Sequence, residues 1–414
     1  MAERFYTKQM PNGLMLLGQQ MDQVSSAAMA LLLPAGAAHD PSGLQGAASV
    51  ASEWCMRGAA QRDNRQLNEA LDFLGCQHSE YVRSEHLVLT AAQLGRNLAD
   101  VLAIYADIVR RPRLEEKTFD PCRDLTEQDL ASLEDEPAKK CTTLLKERFF
   151  PYPLGSCVYG RAETLATMQA AAVREFMAER YSPAGAILAV AGDIDWEAFC
   201  GLAEENFGGW IAKVPPALEP APAQAGVTHI KKDSAQTHIA LAHRSVTMAS
   251  PHYYAARMAE TVLSGGMSSR LFTEVREKRG LVYHVSTRYN SLKDYAGMFT
   301  YAGTTPDKAQ DTFDVTVGEL RRLAQGIEEA EMARSRTQLK SSLIMQGEST
   351  EARSSMLASD WHHLGRLRSL KELSDAIDAV TVEDVMEYLA ACPASDFTVL
   401  VIGPDMPDVG RMSE

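Results

Sequence analysis

The sequence predicts an α+β protein of two tandem homologous domains, each a largely antiparallel sheet with helices packed on it. Three observations carry this expectation: a proline-rich break near the middle of the 414 residues, a helix–turn–strand unit repeated on either side of it, and strands that neighbour strands through turns. The break is Val214–Gly226, with four prolines. Proline fixes φ and removes the amide donor, so the stretch can hold neither a helix nor a central strand and favours extended geometry. The expected domains are therefore residues 1–213 and 227–414, joined by a linker at 214–226.

The repeat pairs 173–193 with 382–405, each reading as an amphipathic helix, a proline-containing turn, a buried strand ending in glycine and then an acidic residue. Met177 aligns with Met386, and Gly192 with Gly403. Upstream, Leu114–Phe119 aligns with Ile327–Met332, each opening a long helical pattern. Duplication of one α+β domain is the economical reading.

In the first half, Pro11-Asn12-Gly13 between apolar runs is a hairpin turn signal. Val24–Pro34 is an apolar run of strand length, and Gly46–Met56 has helical character. Asn64–Leu74 is helical because Leu67, Ala70, Leu71 and Leu74 recur at that period. Gln77–Leu89 reads as a strand pair, and Leu94–Val109 and Lys117–Leu133 as long helices.

Composition excludes more than it identifies. The net charge of −14 argues against nonspecific attraction to nucleic acid or an anionic membrane. No apolar run reaches the roughly 18 residues of a membrane span, and no apolar signal core follows the first charges. Seven scattered cysteines without a Cys-x-x-Cys pair fit neither a disulfide scaffold nor a thiolate zinc knuckle. A cytoplasmic setting is expected by default.

Phosphate-loop and serine-nucleophile motifs are missing. Ser264-Gly-Gly-Met-Ser-Ser-Arg270 is glycine-rich but has no phosphate-binding lysine, so a turn that admits a neighbouring backbone explains it better. Downstream, Leu271 and Val275 belong to a helix that Gly280 can end in a left-handed cap, and Leu281–Thr287 alternates as a strand. Folding at Gly280 could bring the tips of Arg276 and Tyr283 to one edge. An Arg fork and a Tyr hydroxyl suit a peptide carbonyl. From the residues alone, Arg276 reads equally as a solvated cation at a helix end.

Gly-Gly-Met-Ser-Ser-Arg-Leu-Phe followed by Arg-Glu-Lys-Arg-Gly-Leu-Val-Tyr resembles the C-terminal half of the pitrilysin/insulinase zinc peptidase superfamily, in particular its small two-domain bacterial members and the subunits of mitochondrial processing peptidase. The resemblance extends over nearly the whole chain, through Met10–Leu14, Asp40–Gly46 and Lys340–Ser349. It implies the processing-peptidase-like metallohydrolase fold. It also implies that Arg276 and Tyr283 bind substrate and help to stabilise a tetrahedral intermediate.

The same resemblance implies a His-x-x-Glu-His motif on a first-domain helix, where two histidines one turn apart hold Zn²⁺ and the glutamate takes a proton from water. Here the matching positions are Ser49, Ser52 and Glu53, and Asp129 falls near the later acidic ligand. No two of the ten histidines are four residues apart. Two serines and a carboxylate are a poor zinc set without a base. A second group, His78, Glu80, Glu85 and His86, is close in sequence but reads as surface strand residues, and His362-His363 as a helix-surface pair.

The expectation is a noncatalytic subunit of a heterodimeric zinc peptidase. It would bind no metal itself and would present Arg276 and Tyr283 to a partner chain that carries His-x-x-Glu-His and the Zn²⁺. The substrate would be a peptide or unfolded polypeptide, with neither nucleic acid nor membrane as partner. The alternatives are a non-proteolytic structural or assembly protein of the same fold, and a zinc endopeptidase with unusual ligands.

Overall fold

The computed structural model of the chain describes residues 3–214 and 216–410. Pro215 of the linker, and residues 1, 2 and 411–414 at the outer ends of the expected domains, lie outside the described residues. The fold is α+β, as the sequence predicts, and is organised as two compact units.

The first unit comprises the chain up to Ser132, Ser156–Pro220 and Gln346–Ser369. Its sheet holds β1 (Arg4–Gln9), β2 (Met15–Gln20), β3 (Ser26–Leu33), β6 (Gln77–Val82), β7 (Leu87–Leu94) and β8 (Ile187–Gly192), in the order β1-β2-β8-β3-β7-β6. The predicted hairpin turn at Pro11–Gly13 joins β1 to β2. The central strands β3 and β8 are almost wholly buried, which explains their unbroken apolar sequences. All pairs are antiparallel except β2 with β8. A two-stranded hairpin, β4 (Gly58–Ala59) and β5 (Arg62–Asp63), lies outside the sheet.

The helices that the first half of the sequence gives this unit are α1 (Ala47–Cys55), α2 (Asn64–Phe73), α3 (Leu98–Arg110), α4 (Phe119–Ser132), α6 (Ala162–Thr167), α7 (Ala170–Arg180) and α8 (Trp196–Phe207). A capping box between Asp63 and Gln66 fixes the start of α2. Helix α3 begins later than its periodicity suggests, because β7 runs on to Leu94 and a tight turn follows at Gly95–Asn97. A core centred on Trp54, Tyr105, Phe176 and Phe199 fills this side of the sheet.

The second unit comprises Leu133–Gly155, Ala221–Met345 and the chain from Leu370. Its sheet holds β9 (Val227–Lys231), β10 (Thr237–Arg244), β11 (Val282–Ser291), β12 (Ala296–Thr304) and β13 (Thr398–Gly403), in the order β11-β12-β10-β13-β9. Read from the other edge, this reproduces β2-β8-β3-β7-β6 strand for strand, with β9 and β13 as the single parallel pair. The repeat seen in the sequence is therefore a repeat of topology.

Helices α9 (Tyr253–Ser264), α10 (Ala309–Arg322), α11 (Glu329–Gly347), α13 (Leu370–Ala379) and α14 (Val382–Ala391) follow the order of their first-half counterparts. Two helices are exchanged between the halves. Helix α5 (Pro137–Phe149), from the first half of the sequence, packs on β10 and β13, and α12 (Thr350–Leu364), from the second half, packs on β3 and β8. The compact units thus interleave in sequence. Val214–Gly226 carries neither helix nor strand among its described residues, apart from an isolated bridge between Ala221 and Tyr152.

Candidate functional site

Helix α1 carries three of the four positions expected from a zinc motif. Its start is fixed by Asp40, whose carboxylate accepts hydrogen bonds from the Gly46 and Ala48 amides at 2.7 and 2.8 Å. Burial pushes the Asp40 carboxyl up to about 7 although both amides pull the other way. The apolar face of α1, including Val50, Ala51 and Trp54, is buried in the core, and Ser52 goes with it at 4% exposure. The Ser49 hydroxyl is already used, donating to the Val158 carbonyl at 2.6 Å.

Glu53 pairs with Arg57 one turn on, at 3.0 Å. Burial raises the Glu53 carboxyl; Arg57 opposes the shift, while the charges of Glu80 and Asp129 add to it. Asp129 lies on the exposed face of α4. These positions do not fit a zinc ion: one hydroxyl is committed to a carbonyl, one is buried, and the carboxylate is neutralised by a guanidinium that would repel a divalent cation. Among the described residues, no three His, Cys, Asp or Glu side chains are arranged to hold a metal.

The Arg/Tyr element belongs to the second unit. The chain after Leu271 winds as a π-helix over Phe272–Glu277, a widened turn frequent at functional sites. Gly280 ends it with φ +57°, the left-handed conformation expected of a glycine cap. Arg276 is exposed, with its guanidinium stacked over the Phe272 ring at 4.9 Å. Tyr283 is on β11, the edge strand, at the point where pairing with β12 slips between Val282 and His284. The slip sends Tyr283 and His284 to solvent in succession, breaking the alternation expected for this strand, and leaves Tyr283 68% exposed. Both side chains are thus available to a ligand, each on a backbone irregularity that re-aims it.

Sequence reasoning singled out Arg276 but missed Arg270, six residues earlier. Arg270 is buried at 6% exposure and forks onto Glu331 of α11, with Nε to Oε1 at 2.7 Å and Nη2 to Oε2 at 2.6 Å, while Nη2 also donates to the Gly326 carbonyl at 2.8 Å. This clasp fixes the start of the segment that carries Arg276. An arginine at the end of a stretch of serines and glycines was the available signal, but its partner is 61 residues away.

The second histidine group is also rearranged. His78 pairs with Glu80 at 3.5 Å on the edge strand β6, and this contact raises the imidazole above its usual value despite burial. Glu85 and His86 are not plain surface residues, nor are His362 and His363 a plain helix-surface pair. His86 meets the His362 ring edge-on at 4.4 Å, and His362 donates to Glu85 at 3.2 Å.

Residues 16–161 match the family model described as insulinase (peptidase family M16), and residues 167–339 match the one described as peptidase M16 inactive domain. The chain is 29% identical over 412 residues to an uncharacterized zinc protease of Rickettsia bellii, covering 98% of this chain and 99% of that one. To an uncharacterized zinc protease of Mycobacterium tuberculosis it is 28% identical over 403 residues, covering 95% and 92%. Among solved structures it superposes on a protease from Helicobacter pylori with a TM-score of 0.90 at 18% identity, covering 97% of this chain and all of that one. A peptidase M16 inactive domain from Pseudomonas fluorescens gives a TM-score of 0.88 at 20% identity, covering 98% of each. At such identities these two structures speak to the fold alone.

Proposed function

Because the chain belongs to the insulinase (M16) peptidase family, we propose that it is the noncatalytic subunit of a heterodimeric zinc peptidase, lending Arg276 and Tyr283 to a partner that carries His-x-x-Glu-His. The observation that carries this reading is the state of α1. Where a zinc peptidase needs two imidazoles and a base, this chain has a committed hydroxyl, a buried hydroxyl and a carboxylate paired with Arg57. The Arg/Tyr element has no such defect, since both side chains are solvent-exposed and the clasp behind them is intact.

The chemistry left to this chain is binding and charge stabilisation. Arg276 supplies a planar fork of donors for a carbonyl and for negative charge developing on it, and the Tyr283 hydroxyl supplies another donor. The nucleophile and its metal belong to the partner. The edge strand β11 presents unpaired backbone groups beside Tyr283, so an extended peptide can add to it by strand pairing, with an unfolded polypeptide as substrate.

The test is coexpression with a homologue bearing the intact motif. R276A and Y283F should each lower turnover of the pair by about a hundredfold, while the two chains still copurify. Unchanged turnover refutes the reading and favours a structural role. Chelator-sensitive hydrolysis by this chain alone favours a zinc endopeptidase with unusual ligands.

A further inference from the structure

We propose that His39 and His86, on adjoining segments of the first unit, and His362 and His363, at the end of the exchanged helix α12, form an acid-sensitive clasp that holds α12 on the first unit's sheet and releases it when His86 takes up a proton. The four histidines come from three places in the sequence. His39 ends the tight turn before α1, His86 immediately precedes β7, and His362 and His363 lie in the last turn of α12. The first two segments are joined through backbone bonds, from the Ala37 amide to the Arg83 carbonyl at 2.9 Å and from the Ala38 amide to the Ser84 carbonyl at 2.8 Å. The third is brought in only by α12.

The charged and titratable groups facing the cluster can be named element by element. From α7, Arg180 donates to His39 Nδ1 at 3.2 Å, which requires that nitrogen to be unprotonated; Arg180 itself lies 3.7 Å from Glu179. From the β6–β7 turn, Glu85 accepts from His362 at 3.2 Å. On α12, His362 and His363 stack edge to face at 4.8 Å, and His362 lies against His86 at 4.4 Å. Just before the histidines on α12, Asp360 is forked by Arg368 at 2.7 Å.

Burial, with the nearby Arg180 charge, holds His39 down to about 4, and burial, with the neighbouring His362, holds His86 down to about 3. The His86 ring, held edge-on against the His362 ring, would have to take up its proton in a poorly solvated place. The cost of acid therefore falls on the contact between His86 and α12.

What the clasp retains is substantial. The other end of α12 is anchored by Arg353, fully buried and bonded to Gln19 at 2.7 Å and Glu3 at 2.8 Å. Between the two ends, Leu357 and Ala358 cover an apolar patch of Leu17, Ala30, Leu32, Val88, Ile187 and Ala189. Opening the histidine end frays the helix from its C-terminus and uncovers that patch.

Hydrogen–deuterium exchange of the full chain tests this. Protection factors for α12 peptides are compared at about pH 7.5 and about pH 5, after correction for intrinsic exchange. A histidine held neutral when closed and titrating normally when open makes opening on the order of thirtyfold more favourable at about pH 5. The expected result is that loss in α12 and in β2, β3 and β8 beneath it, with second-unit peptides unchanged, and a much smaller loss in H86Q and H362Q. If H86Q does not fold, H362Q, whose side chain is partly exposed, decides alone. The proposal is overturned by a wild-type change below about threefold, by an equal loss throughout the chain, or by variants that behave as wild type.

Discussion

Replacing Arg270 by alanine should destabilise the second unit by about 3 kcal/mol, a value that follows from how its two partners are satisfied. The guanidinium is almost fully buried and makes two bonds to Glu331, at 2.7 and 2.6 Å, one to the Gly326 carbonyl at 2.8 Å and a longer one to the Arg322 carbonyl at 3.4 Å. Breaking a buried ion pair by deleting one partner costs about 3–5 kcal/mol, because the survivor is left charged and desolvated. Here Glu331 retains one donor, the Glu328 amide at 3.0 Å, and keeps partial contact with water, which puts the expected cost at the lower end. Burial alone would raise the Glu331 carboxyl, but the bonds from Arg270 and the Glu328 amide, with the charges of Arg270 and Arg334, outweigh it and hold the group below its usual range. A carboxyl depressed in the folded state stabilises above its unfolded pKa and loses that contribution as pH falls through the folded value. The wild type should therefore lose this increment in acid, and R270A should have none to lose. Urea unfolding across pH measures both, and R270K, a point charge without the fork, should recover only part of the loss. A cost for R270A below about 0.5 kcal/mol, the range of an ordinary surface change, would refute the clasp, and with it the argument that Arg276 rides on a fixed segment.

Gly36→Ala should cost roughly 3 kcal/mol, because an added Cβ would sit 2.3 Å from the His86 amide nitrogen and 2.4 Å from the Ser84 carbonyl oxygen; a lowered melting temperature checks it. His243 of the second unit is held down to about 4 by burial, so it takes nothing from stability above about 6.5 and lowers it as pH falls between the two values, by up to about 3 kcal/mol, because the unfolded chain takes up the proton first; between neutral pH and acid the urea midpoint should fall further for wild type than for His243→Phe. A chelator should leave the melting temperature unchanged within about 1 °C, and metal analysis of the purified chain should find no stoichiometric zinc. Arg353→Met should destabilise by about 3 kcal/mol and unprotect the N-terminal turns of α12, since Glu3 and Gln19 lose a buried donor.

The fold was legible wherever the signal was local. The hairpin at Pro11–Gly13, the glycine cap at Gly280 and the helices at Asn64 and Phe119 follow from turn chemistry and period, and each is present. The duplication was legible because β8 and β13 keep the same helix–turn–strand lead-in. What the sequence hid is what depends on distant partners. Nothing in Pro137–Phe149 or Thr350–Leu364 reveals that each helix covers the other half's sheet, because an apolar face fits any apolar patch of the right shape. His86 looked like a surface strand residue, and Arg270 carried no reading at all, for the same reason: their contacts are made by His362 and Glu331, far along the chain. At Tyr283 the alternation fails because one extra residue enters the edge strand, and a bulge leaves no compositional mark.

The matched topology allows the two halves to be compared where the chemistry should be. By strand order, α9 in the second unit is the counterpart of α1 in the first, each following the central antiparallel strand and preceding the edge strand. In α9, Glu260 is buried and paired with Arg257 at 2.9 Å. In α1, Glu53 is paired with Arg57 at 3.0 Å. Both helices therefore hold a carboxylate paired with a nearby arginine, within the helix in α9 and just past its C-terminal end in α1, an arrangement that braces the helix and leaves no open ligand set. The second family model matched here is itself described as an inactive domain. On this comparison the two halves share one electrostatic state at this helix. What still distinguishes the halves is on the segment before the edge strand, where the second unit carries Arg276 on a π-helix and Tyr283 on a bulge, while the first leads into β6 through the ordinary helix α2.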